Sequence, residues 1–137
     1  MRTFVADASV TIAWVHPGQA TATTQDMLYA IRDGALIHVP ALWFLEVANV
    51  LLVLTRRDKL TDAERKAALQ WVSALPLTVD HEASAIAFNR LSELAEAHTL
   101  SVYDAAYLEL ATRLGVTLAC KDGPLRQAAR ASDVDVW

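Results

Sequence analysis

Four acids interrupt apolar sequence in this chain: Asp7, Glu46, Asp104 and Asp122. Asp7 ends the run TFVA, residues 3–6, and apolar residues resume almost at once. Glu46 is flanked by Phe44, Leu45, Val47 and Ala48. Asp104 precedes AAYLELA, and Asp122 follows VTLAC, residues 116–120. A carboxylate is costly to bury without a partner. Carboxylates that converge also repel one another, so some hold protons at neutral pH. A divalent cation relieves both penalties. Mg²⁺ and Mn²⁺ favour oxygen ligands and keep several waters. The single Cys120 and the four histidines share no metal-ligand spacing, so nothing points to zinc. A cation held by acids suits phosphodiester hydrolysis, because it activates water and neutralises charge on the phosphate.

Each acid also has an ordinary reading. Asp7 fits a helix cap, Asp104 the acidic partner of a Ser101 cap, and Asp122-Gly123-Pro124 a turn. Glu46 is the hardest to explain away if its apolar helix is buried all round. Taken together, the four are far more specific than any one of them.

The elements that must position these acids follow from pattern and punctuation. Strands are expected at 3–6, 36–39, 77–79, 116–120 and 134–136. Helices are expected at 9–15, 20–33, 41–57, from the Thr61–Glu64 capping box to about 75, at 82–97, from the Ser101 cap to Gly115, and at 124–131. Gly34 and Gly115 read as helix stops. Strands alternating with helices imply an α/β fold with a short, mostly parallel sheet of about five strands, covered on both faces. Asp7 and Asp122 then end strands on one sheet edge, and Glu46 and Asp104 sit in the first turns of helices that point there. Ligands in such folds bind beyond the carboxyl ends of the strands.

The chain has 137 residues and reads as a single domain over 1–137. It is 54% hydrophobic and 20% charged, enough for a core and too apolar for disorder. Its net charge of −4 argues against a general nucleic-acid binder. One cysteine excludes an internal disulfide framework and fits a reducing cytoplasm. Asp7 breaks the N-terminal apolar run too early for a secretory signal. The run ALWFLEVANVLLVL, 41–54, is too short for a membrane span and reads as a buried helix, with one side available to a subunit interface. The histidines read as surface or loop positions. Trp14, Trp43, Trp71 and Trp137 read as core or interface, and Cys120 as a small buried hydrophobe.

At these acids the chain resembles the PIN-domain proteins, specifically the VapC toxins of toxin–antitoxin pairs. The resemblance rests on VADASV at Asp7, FLEVANVL at Glu46, LSVYDAAYLELA at Asp104 and LACKDGPL at Asp122, and covers essentially the whole chain. It implies a three-layer α/β/α fold and a metal-dependent endoribonuclease using Mg²⁺ or Mn²⁺. It implies that Asp7 and Asp104 are direct ligands and that Glu46 is a ligand or holds a metal-bound water. Asp122 completes the set. Ser9 and Asn49 would be polar supports that orient ligands or phosphate. Cys120 departs from the family's usual Thr or Ser at that place, which weakens the support expected for Asp122. The resemblance further implies an RNA substrate, an antitoxin protein that fills the acidic groove, a homodimer and no membrane partner. Arg56, Arg57, Lys59, Lys121 and Arg126 are loose candidates for RNA contact, each with solvated surface as the alternative.

The same residues fit rival readings less well. A phosphatase acting through an aspartyl nucleophile needs an acid two residues after Asp7, where Ser9 stands. A receiver-like signalling module would use Asp80, at the end of the third strand, as phosphoacceptor. It wants an acid beside Asp7, where Ala8 stands, and leaves Glu46 and Asp104 unexplained. A catalytically silent PIN-like module is the remaining alternative.

Overall fold

The computed structural model describes residues 2–121 and 123–137. Four parallel strands, β1 (Thr3–Ala6), β2 (Leu36–Pro40), β3 (Leu77–Asp80) and β4 (Thr117–Ala119), run in the order β3-β2-β1-β4. Phe4 pairs with both Ile37 and Thr117, which puts β1 in the middle. The expected fifth strand at 134–136 is reduced to one parallel bridge, Leu118 to Val136. The tail is held there by two backbone bonds, from the Leu118 N–H to the Asp135 carbonyl at 2.8 Å and from the Trp137 N–H to the Leu118 carbonyl at 3.1 Å, and by side chains. Trp137 packs edge-on against Phe4 at 5.0 Å, and Arg126 donates to the Trp137 carbonyl oxygen at 2.8 Å.

Helices cover both faces of this sheet in a three-layer α/β/α arrangement. On one face α7 (Val102–Leu114) packs against β1, β2 and β4, flanked by α6 (Ser92–His98) and α8 (Gly123–Ala131). It buries seven consecutive residues, Ala105 to Ala111. A helix enclosed on all sides buries its whole circumference rather than one stripe. The other helical group comprises α1 (Ala8–Val15), α2 (Ala22–Arg32), α3 (Leu42–Arg56) and α4 (Asp62–Ser73). Here the sequence reading is corrected. The apolar run at 41–54 is not buried all round: α3 inserts only Trp43, Val47 and Leu51, spaced four apart, and leaves Phe44 and Leu45 exposed. The helix enclosed on all sides over its middle, Ala105 to Ala111, is α7.

The helix expected at 82–97 is divided into α5 (Ala83–Ile86), a π-helical turn (Ala87–Leu91) and α6. The extra residue in that turn leaves Phe88 fully exposed and sends Arg90 to Glu109 at 3.1 Å. Glu109, buried on α7, is also bonded by Arg113, which grips Asp80 through two nitrogens at 2.8 and 3.0 Å. This network ties the edge strand β3 to the central helix. It also engages the residue that a receiver reading would phosphorylate.

The capping signals act as the sequence suggests. The Thr61 hydroxyl accepts from the Glu64 N–H at 3.1 Å, and Glu64 accepts from the Thr61 N–H at 2.8 Å. Gly115 ends α7 at φ +66, a left-handed conformation that glycine adopts without a Cβ clash. Thr61→Ala is expected to cost about 1 kcal/mol of stability, read as a lower denaturant midpoint with unchanged slope. An unchanged midpoint would show the cap to be dispensable.

Candidate active site

The chain order creates the crevice. From β1 the chain crosses outward to β2 and β3, then returns to the far side of β1 for β4. Strand order reverses between β1 and β4, and in parallel sheets ligands bind beyond the carboxyl ends at such a point. Asp7 stands there. Its N–H donates to the Ala119 carbonyl at 3.1 Å, joining the ends of the two strands. Its backbone is extended, at φ −83 and ψ 175, and α1 begins immediately after it.

Asp7 is both a helix cap and a crevice acid. Its Oδ1 accepts from the Val10 N–H at 3.2 Å and from the Ser9 hydroxyl at 2.6 Å. Ser9 in turn accepts from the Lys121 N–H at 3.0 Å. Ser9 therefore links the acid to the loop that follows β4, in keeping with its expected supporting place.

Asp7, Glu46 and Asp104, spread over more than ninety residues of the chain, line one cavity of about 310 Å³ together with Ser9, Gln19 and Tyr107. Glu46 comes from the second turn of α3, Asp104 from the first turn of α7. Asp7 is only 5% exposed. Burial pushes its pKa from 3.8 up to about 7, against the lowering effect of Ser9 and Val10, and the charges of Asp104 and Glu46 push it further. Burial also raises Glu46, whose bond from Tyr107 opposes the shift while the Asp104 charge adds to it. No Lys, Arg or His lines the cavity among the described residues.

Tyr107 is the participant that the sequence reading missed. Its buried hydroxyl donates to Glu46 Oε1 at 2.6 Å. Burial and the neighbouring Glu46 raise its pKa, so it stays a neutral donor. The signal was available: Tyr107 follows Asp104 by three residues, which puts both on one face of a helix.

The remaining expected residues divide. Asp122 lies outside the described residues. Asn49 is exposed and does not line the cavity. Arg126, considered for RNA contact, is spent internally on the Cys120 and Trp137 carbonyls. Lys121 is exposed at the rim and bonds the Gln19 carbonyl at 2.9 Å, while Arg56, Arg57 and Lys59 are exposed at the far end of α3. Cys120 is buried, as expected, and His38 lies half-buried within β2 rather than on a loop.

Among the described residues, no three His, Cys, Asp or Glu side chains form a ready-made metal cage. The donor set still fits a hard cation. It is all oxygen and acidic, no Lys, Arg or His lines the cavity among the described residues, and Mg²⁺ ordinarily takes one or two carboxylates and fills its other positions with water. Burial first, and the neighbouring acids after it, push the Asp7 carboxyl up to about 7, a penalty that a bound cation would relieve.

Fold and crevice together define a parallel α/β protein with an acid-lined site at the reversal of strand order. Residues 4–131 match the family model of the PIN domain. The chain is 34% identical over 128 residues, 93% of its length and 91% of its relative's, to Ribonuclease VapC9 of Mycobacterium tuberculosis. Its fold is similar to the crystal structure of PAE2754 from Pyrobaculum aerophilum, with TM-score 0.71 and 18% identity over 98% of this chain and 83% of that one. It is also similar to Mycobacterium tuberculosis VapC20, described as a sarcin-ricin loop cleaving toxin, with TM-score 0.68 and 19% identity over 91% and 94%. The chain belongs to the PIN domain family, and its relatives there include VapC ribonucleases.

Proposed function

We propose that this chain is a metal-dependent endoribonuclease, the toxin of a toxin–antitoxin pair, acting as a single unit in the cytoplasm. The observation that carries this reading is the convergence of Asp7, Glu46 and Asp104 on one cavity that no Lys, Arg or His lines among the described residues. The ribonuclease name of its 34%-identical relative supports the substrate class. Among the described residues, no helix is long and apolar enough to cross a membrane.

Asp7, Glu46 and Asp104 would hold Mg²⁺ or Mn²⁺, with Asp122 completing the set. When bound, the ion activates water and neutralises charge on the RNA phosphate. The chain's residues supply placement. Both bonds to Asp7 fall on Oδ1, which leaves Oδ2 for the cation. Ser9 fixes that orientation through the loop at Lys121. Burial of Asp7 limits water around the acids, which strengthens every charge interaction there.

The same crevice suits the basic segment of an antitoxin, which would supply the missing positive charge. The exposed apolar surface of Phe44, Leu45, Phe88, Val102 and Tyr103 supports a homodimer. A silent PIN-like module would have no need of a buried carboxylate beside two further acids, so the enzyme is preferred. The test is cleavage of a labelled RNA pool by antitoxin-free protein. Cutting with Mg²⁺ or Mn²⁺ that EDTA stops is the expected result. Equal cutting in EDTA would refute metal dependence, and no cutting of any RNA class by folded, metal-loaded protein would favour the silent module.

A further inference from the structure

Resting on that reading of the crevice, we propose that Tyr107 is a positioning residue that restricts Glu46 to one free oxygen and so favours a small divalent cation over Ca²⁺. The Tyr107 ring is only 1% exposed and belongs to the stretch Ala105 to Ala111 of α7, which is buried all round. Its hydroxyl is fixed by that packing. Glu46 is a half-buried side chain on α3, whose buried residues Trp43, Val47 and Leu51 form a single stripe. The 2.6 Å bond runs from the buried Tyr107 hydroxyl to this more open side chain and occupies Oε1. Only Oε2 remains to face a cation.

One oxygen or two is the difference that separates these ions. Ca²⁺ accepts six to eight oxygens and takes carboxylates through one oxygen or both, in flexible geometry. Mg²⁺ demands near-ideal octahedral placement at shorter range. A glutamate tethered by one oxygen offers a single, well-placed donor. Released, it can turn both oxygens to a larger ion. Asp104 shares the α7 face with Tyr107, so one rigid helix places an acid directly and a second acid through its partner.

The experiment is calorimetric titration of the metal-free protein with Mg²⁺, Mn²⁺ and Ca²⁺ separately. It compares the wild type, Tyr107→Phe, Glu46→Gln and the double variant. Tyr107→Phe keeps the ring and removes one oxygen atom. It is expected to weaken Mg²⁺ and Mn²⁺ about tenfold, as loss of a ligand's supporting partner does. Ca²⁺ affinity is expected to hold or rise. In the Glu46→Gln background Tyr107→Phe should change nothing further, because its effect passes through Glu46. Unchanged Mg²⁺ and Ca²⁺ binding in Tyr107→Phe would overturn the proposal. So would an equal loss for all three ions, or a loss that persists without Glu46; either marks general loosening. Absence of divalent binding by the wild type would overturn the metal reading beneath it and this proposal with it.

Discussion

Asp104→Asn is expected to lower RNA cleavage by at least about a thousandfold while leaving the fold intact. The side chain opens α7 and faces the crevice with Asp7 and Glu46, so its charge belongs to the proposed cation site. The Asp104 N–H donates to the Ser101 hydroxyl at 3.0 Å, and an amide side chain leaves that bond untouched. A neutral amide oxygen replaces an anionic one, and about three decades in rate correspond to about 4 kcal/mol at the transition state. Metal-activated hydrolysis can lose that much when its cation is misplaced. The check is a cleavage time course in Mg²⁺ beside a thermal melt. Wild-type cutting by Asp104→Asn would remove this acid from the site.

Asp7→Asn is expected to be inactive too, yet more stable than the wild type when both are metal-free at pH 7. A carboxyl group whose pKa rises from 3.8 to about 7 on folding binds its proton more tightly in the folded chain. Stability is therefore greatest below the unfolded pKa and falls as pH rises from about 4 to 7. The loss approaches about 4 kcal/mol at the upper end of that window, an upper figure for a group that can relax. Asparagine keeps the acceptor for Ser9 and Val10 and removes the charge. Its melting temperature should exceed the wild type's by about 5 °C or more at pH 7, and the gap should close near pH 4.

Asp62, Glu64 and Asp80 act in the opposite direction. Hydrogen bonds from Lys66, from Thr61 and from Arg113 respectively hold them below their usual values, so their stabilisation is lost on acidification. The difference between the two proteins cancels that background. Added Mg²⁺ should stabilise the wild type and not Asp7→Asn, narrowing the gap at pH 7. Equal melting temperatures at pH 4 and pH 7 would show that Asp7 carries no such burden.

Three of the acids were legible because their surroundings were. Asp7 ends a strand, and Glu46 and Asp104 open helices, and a parallel α/β fold sends those positions to one edge. The order of strands in space was not legible, since it depends on which edge of β1 accepts β4. Tyr107 escaped because its partner lies 61 residues away on another helix. Arg126 read as surface because nothing local shows that the C-terminal carbonyls return to it. The last strand failed because β4 is only three residues long and offers the tail a single bridge. The burial of α3 was overstated by its composition: apolar residues reveal that a helix has a buried stripe, but not how wide a stripe its neighbours cover. The exposed remainder, with Leu45 77% exposed, is the surface assigned above to a second copy.

The account stands on a divalent cation at the junction of Asp7, Glu46 and Asp104. The most direct measurement is a crystal structure of the wild type grown with Mn²⁺, with anomalous scattering used to place the ion. The account predicts one strong peak in the crevice, within coordination distance of carboxylate oxygens of Asp7 and Asp104, and no such peak in Asp7→Asn. Manganese found only elsewhere, or an empty crevice at saturating Mn²⁺, would contradict it.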